Sequence, residues 1–176
     1  MKVGNPSSKL QIAPKKSIKT EALVFGMQVA LMDAQVTKEL KGENMVTLAD
    51  ARKLIAAAEK KAQEIKQPMN IAVVDEGGNL VSHVRMDGAW IGSIDISINK
   101  AFTSRAFDIT TKDLGKNSQP GDQFFGIHVS NHGRIMIFAG GIPLKRGGKV
   151  VGAIGVSGGS GEQDQTVAEA GAAAFE

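Results

Sequence analysis

The chain of 176 residues contains no cysteine, no tyrosine and a single tryptophan, Trp90. Without cysteine there is no disulfide, no cysteine-ligated zinc, no iron–sulfur cluster and no covalently attached haem. No apolar run reaches the about 18 residues that a transmembrane helix needs. There is no HExxH zinc motif and no Gly-Lys-Ser/Thr phosphate loop. The sequence Gly155-Val156-Ser157-Gly158-Gly159 fits the bare G-x-S-x-G spacing, but that spacing alone does not make a recognisable serine-hydrolase elbow. What is present is an ordinary globular composition, 42% apolar and 22% charged, enough for one domain with a core plus a tail.

The sequence pI of about 9.2 suggests nucleic acid until the charges are located. Residues 1–44 hold seven Lys against four Asp/Glu, whereas residues 45–176 hold fourteen Lys/Arg against fourteen Asp/Glu. The basic excess therefore belongs to the N-terminal segment. The rest has no clustered basic stripe and no recognition-helix or RNP-type motif, so no nucleic acid is expected as a partner.

Lys15, Lys16 and Lys19 precede the apolar run Ala22–Met32, which has the length of a signal-peptide core. Glu21 interrupts the basic flank, Gln28 breaks the run, and Met32-Asp33-Ala34 is a poor cleavage site. The preferred reading is an appended amphipathic helix from Ile18 to about Leu40, packing Leu23, Met27, Ala30, Leu31 and Ala34 on one face. Asn5–Pro14 ahead of it reads as a flexible arm. This makes 1–44 an arm with an appended helix and 45–176 the folded domain, expected in the cytoplasm, with export as the alternative and no insertion into a membrane.

Within the domain, Thr47-Leu48-Ala49-Asp50 starts a helix with a capping box, and Leu48, Ala51, Ile55, Ala58, Ala62 and Ile65 form a narrow apolar stripe. Met69–Asp75 is a nearly continuous apolar strand. The turn Glu76-Gly77-Gly78-Asn79 returns it as Leu80–Met86. Strict alternation there places Val81, His83 and Arg85 on one face and Leu80, Ser82, Val84 and Met86 on the other. From Trp90, the series Ile91, Ile94, Ile98, Phe102, Ala106 and Ile109 predicts a helix of about five turns. Thr111–Arg134 reads as a long loop with one short turn near Phe124-Phe125. Arg134–Gly141 reads as a strand ended by a break at Gly140–Pro143. A hairpin around Arg146–Lys149 and a terminal helix opened by Ser160-Gly161-Glu162-Gln163 complete the domain, the latter turning Val167, Ala168, Gly171, Ala174 and Phe175 inward. Strands joined by tight turns mean an antiparallel sheet with helices on its faces.

The glycine-rich stretch Gly152–Asp164 follows a strand and precedes a helix, the setting of a phosphate loop. Glu162 and Asp164 in the first helical turn would repel a phosphate. Gly152 and Gly155 are better read as permitting close backbone approach, or contact with another subunit or a flat ligand. His128 and His132 are four apart, but Asn131-His132-Gly133 reads as a turn, so no zinc pair and no other metal site is expected. Arg85, Asp87, Asp95 and Lys100 remain: Arg85 and Lys100 could hold a carboxylate-bearing ligand, and Asp87 could cap the following helix.

The order of motifs resembles the GlcG/HbpS family, whose haem-binding-protein-like domain also forms the C-terminal part of PduO-type proteins. The residues that carry the resemblance are Ala72–Asp75, Gly77–Leu80, Arg85–Ala89, Asn99–Thr103, Gly140–Pro143, and Gly152–Gly159 with Glu162-Gln163-Asp164. The resemblance spans about Thr47 to Phe175. It implies a profilin-like α/β (α+β) domain with a five-stranded antiparallel sheet flanked by helices on both faces, assembled as a homo-oligomer. It also implies non-covalent binding of a tetrapyrrole, with haem first and a corrinoid as the alternative, and links to haem degradation or redox sensing. The expected cofactor-binding residues are Arg85, Asp87, Lys100, His83 and His128. The alternatives are a small isomerase- or lyase-type enzyme acting on a carboxylate-bearing metabolite, with Arg85 as clamp and Lys100, Asp95 or Asp87 as acid/base groups, and an accessory oligomeric protein of a catabolic operon.

Overall fold

The structure, a computed structural model, describes residues 23, 25–33 and 45–175. The chain divides into two units, Met1–Glu43 and Asn44–Glu176. In the first, residues 23 and 25–33 are helical. Leu23, Met27 and Leu31, from the face expected to pack, are exposed. Ile18, Ala34, Leu40 and the Asn5–Pro14 arm lie outside the described residues. No helix among the described residues is long and apolar enough to cross a membrane.

The second unit begins with α1 (Leu48–Glu64), which starts as the sequence predicts. Thr47 Oγ1 accepts from the Asp50 N–H at 3.1 Å, and Asp50 Oδ2 accepts from the Thr47 N–H at 3.0 Å. The strands β1 (Asn70–Val74), β2 (Leu80–Arg85), β3 (Gly141–Arg146) and β4 (Lys149–Ser157) form one antiparallel sheet in the order β2-β1-β4-β3. Ile71, Val73, Ile154 and Val156 face α1 and the terminal helix α4 (Gly161–Ala173), meeting Leu54, Ile55, Ala58, Val167 and Ala168. Ala72, Val74 and Ala153 face α2 (Gly92–Phe107) through Ala101. Helices thus cover both faces.

The described residues give four strands, not five. The missing one is Arg134–Gly140, which is irregular. Its backbone finds partners in α2 instead of a neighbouring strand: Thr103 Oγ1 donates to the Arg134 carbonyl at 3.2 Å and accepts the Met136 N–H at 2.9 Å. The expected break at Pro143 is also absent. Pro143 lies inside β3, tolerated because an edge strand leaves one side of its backbone unpaired. The long loop after α2 contains a short helix, α3 (Thr111–Lys116), capped by Thr110, and two 3-10 turns, Ile127–Val129 and Asn131–Gly133.

The largest departure concerns which side of α2 is buried. The series Ile91, Ile94, Ile98, Phe102 and Ala106 predicts the helix, and an apolar stripe of this kind ordinarily faces a core. The buried residues are Ser93, Ser97, Asn99, Lys100, Ala101, Thr103 and Ser104; Ile98 is only partly buried against the sheet and Ile91 is 75% exposed. The cause lies in β4. A Cβ on Gly155 would overlap the Ser97 carbonyl oxygen and the Ala101 nitrogen, so the helix backbone rests directly on the strand and only small side chains fit between. Serine is tolerated there because each hydroxyl has a partner: Ser97 Oγ donates to the Ile94 carbonyl and Ser104 Oγ to the Ile109 carbonyl.

Candidate functional site

The hairpin β1–β2 is the first element to consider, because it carries His83, Arg85 and Asp87. Asp75 Oδ1 accepts the N–H groups of Gly77 and Asn79, both at 2.9 Å, and Gly78 takes φ +75°, which folds the turn tightly. The pairing then slips: Val73 opposes Ser82 but Val74 opposes Leu80, leaving Val81 as an extra residue. Such a bulge reverses the alternation on one side of it. Val81 packs into the α1 and α4 core together with Val84 and Met86, so it does not share the face of His83 and Arg85 as strict alternation predicts.

His83 stands opposite Ala72, on the α2 side of the sheet. Its Nε2 is buried with no hydrogen-bond partner. Burial pushes its pKa below the usual histidine value, because the imidazolium would lose its hydration without a compensating partner. The sign follows directly. With its folded pKa below 6.5, the folded state binds fewer protons than the unfolded one between those two values, so stability falls as the pH falls through that window. Urea unfolding at pH 7.5 and pH 5 should show this loss, and His83→Gln should reduce it; an unchanged pH dependence in the variant would mean that His83 is not its source.

Arg85 closes the following turn: its Nε donates to the Ala89 carbonyl at 2.9 Å, while the Ala89 N–H donates to the Met86 carbonyl at 3.0 Å. Arg85 and Asp87 line one groove of about 440 Å³ with Glu59, Gln63, Val84 and Met86. Asp87 does not cap α2, which starts at Gly92 with no side-chain cap.

Lys100 lies elsewhere. Its side chain is completely buried, and Nζ donates to Asp164 Oδ2 at 2.6 Å and to the Val156 carbonyl at 2.9 Å. The Phe138 ring centroid is 4.5 Å away. Burial pushes the Lys100 pKa down and the Asp164 pKa up, and the attraction between them opposes both shifts. Asp164 Oδ1 also accepts the Gly159 N–H at 3.0 Å. This ammonium ties α2 to the entry of α4 and has no face toward solvent. It does not join Arg85, which belongs to the outer strand β2, two strands from β4. The expected Arg85–Lys100 clamp is therefore not assembled, and Lys100 is sealed off from an acid/base role. The sequence places Asp164 in the first turn of the terminal helix, as a carboxylate that would repel a phosphate and as part of the Glu162-Gln163-Asp164 motif. The buried pair links residues 64 apart, a separation at which local patterns carry no signal.

His128 and His132 are exposed on the successive 3-10 turns, with His132 at φ +58°. They form no helical pair, and no group of three His, Cys, Asp or Glu among the described residues could hold a metal ion. Phe124, Phe125 and Val129 on the same loop are exposed, as are Trp90 and Ile91. Asp95, named among the acid/base candidates, accepts from Asn99 Nδ2 at 2.7 Å. Asn99 Oδ1 in turn accepts from Arg134 Nε at 3.2 Å. Nothing in the spacing of the sequence singled out Arg134.

Residues 46–173 match the family described as haem degrading protein HbpS-like. The chain belongs to this family. Among its HbpS-like relatives is an uncharacterized 15.0 kDa protein in the dhaT-dhaS intergenic region of Citrobacter freundii, 47% identical over 70% of this chain and 87% of the relative. The corrinoid adenosyltransferase PduO of Citrobacter freundii is 34% identical over 74% of this chain, but that match spans only 39% of PduO. Among solved structures, one described as a PduOC:heme complex superposes with a TM-score of 0.70 at 34% identity, covering 72% of this chain and 91% of that one. The family match lies within the second unit, so it bears on that unit alone.

Proposed function

We propose that this chain binds haem non-covalently through its HbpS-like domain. The observation that carries the reading is the likeness, over most of the domain, to a structure solved with haem. Several residues of this chain suit such a group. His83 Nε2 is buried without a partner, and burial lowers its pKa, which favours the neutral form that can ligate iron. His128 presents an accessible imidazole on a loop whose Phe124, Phe125 and Val129 are exposed to receive a flat apolar body. Arg85, which lines the groove beside β2 together with Asp87, is a candidate contact for a haem propionate, while the Asp87 carboxylate would repel one and could only act on the ligand through Arg85. A bound haem would supply the iron for redox chemistry or for its own breakdown. The protein's part would be to bind and orient it.

Titration of the purified protein with hemin tests this. A Soret shift that saturates at micromolar hemin is expected, weakened or displaced in His128→Ala or in His83→Ala according to which imidazole ligates. A flat difference spectrum would sink the proposal. Light scattering on the same sample reads the number of subunits that carry the ligand.

A further inference from the structure

Arg134 is the half-buried arginine whose guanidinium is fixed in place without meeting a carboxylate. It stacks on the Phe102 ring with its central carbon 3.7 Å from the centroid. Its Nε donates to Asn99 Oδ1, and Asn99 is itself oriented by the bond from Nδ2 to Asp95 Oδ2. The Arg134 carbonyl is pinned by Thr103. Position, plane and Nε are thus settled from three successive turns of α2. By contrast, Arg105 is paired with Asp108, Arg146 with Asp50 and Lys100 with Asp164, all within ion-pair distance. Among the described residues, the terminal Nη groups of Arg134 have no acidic partner.

A guanidinium held by stacking and by Nε leaves its two Nη groups as a preorganised fork, which matches a carboxylate in a bidentate way. Preorganisation matters because the rotamer entropy of the arginine is already lost before a ligand arrives. The surroundings are apolar on one side, where the half-buried Phe102 ring lies beneath the guanidinium. His128 and His132 precede Arg134 on the adjoining turns.

We propose that Arg134, stacked on Phe102 and oriented by Asn99, is the carboxylate-binding residue of this domain and takes one propionate of a bound porphyrin. This deepens the haem reading and rests on it for the identity of the ligand. It assigns to Arg134 the role that the sequence suggested for Lys100.

The test separates the two claims by using porphyrins with and without iron, and with and without free carboxylates. Hemin reports the haem reading through its Soret band. Metal-free protoporphyrin IX and its dimethyl ester, followed by porphyrin fluorescence and quenching of Trp90, report carboxylate recognition alone. The wild type should bind the free acid roughly tenfold or more tighter than the ester, the scale of one charge-assisted hydrogen-bonded pair. Arg134→Gln should weaken the acid by roughly tenfold, the scale of one charge-assisted pair, and leave the ester unchanged. Arg134→Lys, which keeps the charge but loses the planar fork, should retain less than half of the preference on a logarithmic scale, and it replaces the Gln variant if that one does not fold. An acid-over-ester preference equal in wild type and variant overturns the role of Arg134, even if hemin binds. Failure of both metal-free porphyrins to bind overturns it as well. If hemin gives no Soret shift while the acid preference exists and depends on Arg134, the haem reading fails alone and the carboxylate site stands.

Discussion

Asp164→Ala is expected to destabilise the domain by about 3–5 kcal/mol, the usual cost of removing one partner from a buried ion pair. The reason is the ammonium left behind. Lys100 is fully buried, and of its contacts only the Val156 carbonyl and the Phe138 ring would remain. The Gly159 N–H loses its acceptor in the same step. Lys100→Met in the Asp164→Ala background should recover part of the loss, because it removes the unpaired charge, although the Gly159 N–H stays unsatisfied. The pH dependence gives an independent check. The Lys100 pKa in the folded state already lies below 10.5 because of burial, and without Asp164 it drops further. The folded variant then binds fewer protons than its unfolded chain up to 10.5, so its stability should climb with pH across a wider window than that of the wild type. Urea unfolding of the three proteins from pH 6 to 10 reads both effects. A loss below about 1 kcal/mol in Asp164→Ala would show that water reaches the pair.

Gly155→Val should have an effect at least as large. Overpacking typically costs about 1–3 kcal/mol when the surroundings can shift. Here they cannot, since the atoms met are backbone: the Ser97 carbonyl oxygen and the Ala101 nitrogen. Moving α2 off the sheet would also break the Ser157–Ser93 hydroxyl contact and strain the Lys100 pair. We expect a loss of more than about 3 kcal/mol, seen as failure to accumulate folded protein or as a collapsed urea midpoint. Gly161→Ala is the matched control. Its Cβ would meet only Ala139 Cβ at 3.7 Å, an ordinary contact at the first position of α4, so it should leave stability unchanged or raise it slightly. Wild-type stability in Gly155→Val would mean that α2 does not rest on β4.

Much of the domain can be read locally. Thr47 and Ser160 start α1 and α4 with the capping boxes their spacing predicts, because an N-cap and its N3 partner are three residues apart and need nothing else. The hairpin turns at Gly77-Gly78 and Gly147-Gly148 follow from residues that accept positive φ. The continuous burial of β1 follows from its unbroken apolar run. The errors cluster where a distant element decides. Arg134–Gly140 has the composition of a strand, yet Thr103 takes its backbone bonds. Ile91 has the spacing of a buried residue yet is exposed, and where Gly155 brings α2 onto the strand the residues met are Ser97 and Ala101.

The candidate site divides in the same way. The sequence by itself determined most of the elements, the motif order that places residues 46–173 in the HbpS-like family, and the Arg85–Asp87 turn, since each depends on neighbours a few positions away. Only the tertiary structure decided that a bulge turns Val81 away from His83, that Lys100 is neutralised by Asp164, and that Arg134 lies on Phe102 without a carboxylate. Those outcomes depend on which side chains arrive at one point from separate elements. A buried charge takes whichever partner the packing brings within about 3 Å, and no periodicity along the chain encodes that distance.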